Sequence, residues 1–77
     1  MPKKKLYKNN LAKIRNQLGI TQEELLDLLS LAFPKYTFSL STLQRIERGE
    51  CKVFYEYAIK VEKVLKIDVR IIFSPPN

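Results

Sequence analysis

The sequence predicts an all-α fold, a small bundle of four to five short helices. Three observations predict it. Apolar residues recur every three to four positions in separate stretches, as one face of a helix requires. Ser and Thr stand where helices would begin, at Thr21 and Ser39. The two glycines, Gly19 and Gly49, stand where helices would end. A chain of 77 residues makes one small domain with a limited core.

Pro2 and the run Lys3, Lys4, Lys5 read as a basic N-terminal arm over residues 1–6, either a solvated tail or an arm that neutralises phosphates. The domain proper spans 7–73, and "SPPN" at 74–77 is a short tail. From Tyr7 to Leu18, the residues Leu11, Ile14 and Leu18 share one helical face, and Gly19 suits a left-handed cap. "ITQEEL" is a dense helix start. Thr21 and Glu24 have capping-box spacing, Ile20 and Leu25 can form a hydrophobic staple, and Glu23 and Glu24 favour the positive helix end. The second helix is expected from Gln22 to about Leu31, with Leu25, Leu28 and Leu29 facing a core.

Pro34 disfavours helix at Phe33 and breaks the pattern, so a loop is expected from about Ala32 to Thr37, with Phe33, Tyr36 and Phe38 folding back on the core. In "FSLSTLQRIERGE", Ser39 can cap a third helix with Phe38 and Leu43 as its staple. Ser41 and Gln44 offer a competing box, but that start would pair Leu40 with the charged Arg45, so Ser39 is preferred. Leu43 and Ile46 then point inward, leaving Leu40, Ser41, Gln44, Arg45 and Arg48 outside. Phe54, Ala58, Val61 and Leu65 set the inner face of a fourth helix, with Lys60 and Lys63 outside. Asp68 can cap a short fifth helix, "VRIIF". Those residues also favour a strand, but a lone strand lacks a partner here, so helix is the reading.

Charge narrows the partners. Fourteen Lys and Arg against eight Asp and Glu give +6, which suits a polyanion. The single cysteine, Cys51, excludes an intrachain disulfide and fits a reducing cytosol; it reads as inert. With no histidine, the usual hydrolytic triads and Cys/His zinc sites lose members. Glu23, Glu24 and Asp27 are explained by the helix dipole and solvation, and no metal, cofactor or catalytic site is expected. No apolar run approaches the roughly 20 residues of a membrane span. "MPKKKLYKNN" lacks the apolar core of a secretory signal.

"LAKIRNQLGITQEEL" followed by "STLQRIERG" resembles the lambda repressor and Cro family of helix-turn-helix DNA-binding domains, also called the XRE family. The likeness covers roughly residues 7–73. It implies a five-helix bundle whose third helix lies in the major groove of DNA. It also implies base contacts from Leu40, Ser41, Gln44 and Arg45, a phosphate contact from Gln22, and an ion pair between Arg15 and Glu47. Lys35, Arg48, Lys52 and the arm lysines are further phosphate candidates; such contacts position a protein without reading sequence. The sequence departs from the family in its connection between helices two and three, about seven residues longer and without glycine.

The function implied is a cytoplasmic transcriptional regulator, chiefly a repressor, in a bacterial, phage or plasmid setting. One recognition helix reads few base pairs, so a homodimer is expected, with Val69, Ile71, Ile72 and Phe73 as its candidate surface. The alternative is the antitoxin of a toxin–antitoxin pair, against which stands the brevity of the chain after Phe73. RNA binding ranks below both, because the aromatics are not expected to form an exposed stacking surface.

Overall fold

Thr21 shows most plainly how the sequence builds the fold. Its side-chain oxygen accepts from the Glu24 N–H at 3.0 Å, and the Glu24 carboxylate accepts from the Thr21 N–H at 2.8 Å. This capping box starts α2 (Gln22–Ala32). In the computed structural model, which describes residues 8–73, α2 is preceded by α1 (Leu11–Gln17) and followed by α3 (Leu40–Glu47), α4 (Tyr55–Leu65) and α5 (Val69–Ile72). The described residues are all helix, turn and loop, with no strand. The expected all-α bundle is therefore present, and "VRII" is helix rather than strand. Expectations for Lys3, Lys4, Lys5, Tyr7 and the 74–77 tail lie outside the described residues.

Every helix gives side chains to one core. Leu11 and Ile14 come from α1, Leu25 and Leu29 from α2, Leu43 and Ile46 from α3, Ala58 and Val61 from α4, and Ile72 from α5. Fully burying one such side chain contributes about 1.5–3 kcal/mol. Ile72 is 0 % exposed, so the last short helix closes the core. Its position is fixed from two sides. Asn10 gives its backbone N–H to the Ile72 carbonyl at 2.7 Å and its side-chain amide to the Ile71 carbonyl at 3.1 Å. From α4, the Glu62 carboxylate accepts the Val69 N–H at 2.8 Å.

Gly19 and Gly49 follow α1 and α3 with φ of 74° and 73°, in the left-handed region where a side chain costs free energy. Lys66 takes the same role after α4 with φ 60°, a cap that composition did not mark.

Several expected core residues lie outside it. Leu18 is 49 % exposed because α1 stops at Gln17 and the chain turns away. Leu28 is 41 % exposed, since the neighbouring helices cover Leu25 and Leu29 fully and the third leucine only in part. Phe54 is the N-cap of α4, not its first inward residue, and is 76 % exposed. Of the three loop aromatics only Phe38 packs on the core. Phe33 and Tyr36 instead flank Lys60, which is half-buried rather than outside.

The closing role of α5 gives a direct test. Ile72→Ala should destabilise the protein by about 2–5 kcal/mol in urea unfolding. Ile71→Ala, one residue earlier on the exposed side, should stay within about 0.5 kcal/mol of wild type.

Candidate nucleic-acid interface

The site is built on α3. Ser39 is its N-cap: the Ser39 hydroxyl accepts from the Thr42 N–H at 3.2 Å and donates to the Thr42 hydroxyl at 2.8 Å. The competing start at Ser41 is not used; its hydroxyl lies 3.4 Å from that of Ser39. With Leu43 and Ile46 buried, helical geometry turns Ser41 and Arg45 to solvent, leaves Leu40 at the margin of exposure and holds Gln44 half-buried at the edge of the face. The four expected base readers thus share one side of α3.

What fixes that side is the end of α3. Glu47 is its last residue, only 5 % exposed at the side chain, and its carboxylate sits at the negative end of the helix dipole. Burial and dipole both disfavour that charge. Arg15 of α1 offsets them with two hydrogen bonds, Nε to Oε2 at 2.9 Å and Nη2 to Oε1 at 3.1 Å. Gln22, the first residue of α2, donates from Nε2 to Oε1 at 2.8 Å. Arg15 Nη1 also donates to the Ile20 carbonyl at 2.8 Å in the turn between α1 and α2. One carboxylate therefore binds the end of α3 to both preceding helices. The expected Arg15–Glu47 pair is present.

The inclusion of Gln22 changes its expected role. One of the two donors of its amide is committed to Glu47, so only the other N–H or the backbone of the helix start is left to meet a phosphate. Arg48 is likewise engaged, in an exposed pair with Glu50 at 2.9 Å, a contact worth little in water. Lys35 and Lys52 are exposed, on the connections before α3 and after it respectively.

Asn9 was not singled out by sequence, yet it holds α1 to α3. Its side-chain oxygen accepts from the Leu11 N–H at 3.0 Å, and its amide donates to the Ile46 carbonyl at 2.8 Å. The capping signal of an Asn immediately before an apolar-periodic run points to Asn10, and the reach of Asn9 to α3 leaves no signal. Tyr57 was also missed. Its ring meets Phe38 edge-on at 5.9 Å, and its hydroxyl is buried without a hydrogen-bond partner among the described residues. Burial, then the charge of Glu47, then Cys51 push its pKa up to about 12. Cys51 itself is a free thiol, partly buried against the core.

Two aromatics expected to pack inward, Tyr36 and Phe54, are instead exposed. Tyr36, Phe54 and Tyr55 are each more than half exposed and border one groove of about 540 Å³, between the α2–α3 connection and the start of α4. Phe54 was misplaced because it fits the apolar period of α4 yet stands just before the helix.

The expected dimer surface is also revised. Ile72 is fully buried and Phe73 packs on the core, which leaves Ile71, 57 % exposed, and the half-buried Val69. Among the described residues no helix is long and apolar enough to cross a membrane. No known family, curated protein or solved structure matches this chain.

Tyr57 yields a pH test. Its raised pKa means the folded state holds a proton that the unfolded state releases first. Stability should be flat in this respect below pH 10 and fall as pH rises from 10 to about 12. Tyr57→Phe should remove that component of the alkaline loss. At neutral pH it should leave stability unchanged or raised, since it deletes a buried hydroxyl that has no partner. Urea unfolding of both proteins across this pH range reads both effects.

Proposed function

We propose that the chain is a sequence-specific, duplex-DNA-binding transcriptional regulator, a repressor of the helix-turn-helix kind, that reads the major groove with α3. One observation carries the reading: the outer side of α3 presents Ser41, Gln44 and Arg45 together while Glu47 ties the inner side to α1 and α2. A helix fixed in this way can present a constant pattern of donors, which base readout needs. The +6 charge of the chain supports a polyanionic partner.

In this reading Arg45 forms two hydrogen bonds to guanine O6 and N7, and Gln44 pairs with adenine N6 and N7. Ser41 contacts a base or a phosphate, and Leu40 meets a thymine methyl. Lys35 and Lys52 neutralise phosphates on either side of α3, and Arg48 does so by exchanging Glu50 for DNA. The helix start at Gln22 receives a phosphate through its backbone N–H groups. Two copies bind together, with Ile71 and Val69 contributing the apolar contact, so that half-sites lie about one helical turn apart.

Selection from a random duplex pool tests this as a whole. The expected product is a pair of twofold-related half-sites; a pool unchanged from its input would overturn the proposal. On the selected site, affinity should fall steeply between low and moderate salt as counterions are released. Arg45→Ala should cost about 1–3 kcal/mol there and relax specificity at one base pair. Binding equal to wild type would remove Arg45 as a reader.

A further inference from the structure

The connection between α2 and α3 contains a β-turn at Phe33–Pro34–Lys35–Tyr36, with the Tyr36 N–H donating to the Phe33 carbonyl at 3.0 Å. Proline at the second position fixes the backbone angle that such a turn needs. A turn brings its first and fourth residues together, and here both are aromatic. The ammonium of Lys60, from α4, lies 4.0 Å from the centre of the Tyr36 ring and 5.7 Å from that of Phe33. Both distances fall within cation–π range. The ion pairs among the described residues are Arg15–Glu47, Arg48–Glu50 and Arg70–Asp68, so the charge of Lys60 is committed to these rings rather than to a carboxylate.

Tyr36 stands three residues before Ser39, the cap of α3. The β-turn ends three residues before that cap, so on its own it does not fix the entry of α3. A cation anchored on α4 and gripped by the turn supplies that restraint. We propose that Lys60 is a positioning residue: by holding the Phe33–Tyr36 turn against α4, it sets where α3 begins and how its outer side is presented. This rests on the DNA-reading proposal above and adds to it a residue outside the reading helix.

The test compares Lys60→Met, Lys60→Arg and Tyr36→Leu with wild type. It uses amide hydrogen exchange at residue 36 and affinity for a selected duplex over a range of salt. Lys60→Met keeps the length of the side chain and removes its charge. It should speed exchange and weaken specific binding, each about threefold to fivefold, as loss of a partly exposed cation–π contact implies. The slope of log affinity against log salt should stay as in wild type. Lys60→Arg keeps a cation that can stack on the rings and should restore both readouts. Tyr36→Leu leaves Lys60 in place and should reproduce the Met variant, which guards against misfolding of one protein. Unchanged exchange in Lys60→Met overturns the clamp. Faster exchange with unchanged binding overturns its positioning role, and a salt slope smaller by about one makes Lys60 a phosphate contact instead. If wild type binds no duplex, the DNA reading fails and the positioning role falls with it, while exchange still decides whether the clamp exists.

Discussion

The carboxylate of Glu47 is the constraint on which the arrangement of α1, α2 and α3 depends. It is buried at the unfavourable end of a helix and is tolerated because Arg15 and Gln22 both donate to it. Leaving one partner of such a buried pair alone costs about 3–5 kcal/mol. A domain of this size has about 4–12 kcal/mol of total stability, so that penalty is a large share of it. The net gain from the pair over an apolar replacement is small, because both charges are desolvated. Its larger consequence is geometric. A two-point guanidinium–carboxylate contact fixes angle as well as distance, and here it joins the last residue of α3 to the last turn of α1.

The other end of α3 is held by different means. The Ser39 cap satisfies the first backbone donors, and Phe38 and Leu43 anchor the entry in the core. Upstream, the connection of seven residues from Phe33 to Ser39 would cost only about 0.6 kcal/mol of closure entropy per doubling of length. Length is therefore no obstacle to folding, but the stretch from Phe33 to Thr37, ahead of the Phe38 anchor, needs a hold of its own. The turn closed on Lys60 supplies it locally, while α5, pinned by Asn10 and Glu62, seals the far side of the core. α3 is thus held at both ends by contacts of high sequence separation, Tyr36 with Lys60 before its start and Glu47 with Arg15 at its end, and by the local Ser39 cap.

The parts legible in the sequence are those governed by short-range rules. The Thr21 box, the Ser39 cap, the Asp68 cap and the glycines after α1 and α3 follow from backbone geometry within four residues, and each is present. Periodicity identified the inner faces of α1 to α4 but overextended those of α1, α2 and α4 at Leu18, Leu28 and Phe54, because it specifies a direction and not what covers it. The Arg15–Glu47 pair, thirty-two residues apart, was accessible only through family likeness. Gln22 on Glu47, Asn9 on Ile46 and Lys60 on Tyr36 depend on how the helices meet, and a polar residue on a helix carries no mark of such a partner. The C-terminal apolar cluster illustrates the same limit. Composition marked Ile71 and Ile72 alike, and the single helical step between them puts one outside and the other in the core.

A double-mutant cycle on Arg15 and Glu47, with Arg15→Met, Glu47→Gln and the double variant unfolded in urea, addresses the central tie most directly. The expected coupling is about 3 kcal/mol, with each single change costing nearly as much as both together. Strictly additive losses, with coupling below about 0.5 kcal/mol, would mean that α3 is held by its apolar side alone and would contradict the role given to Glu47.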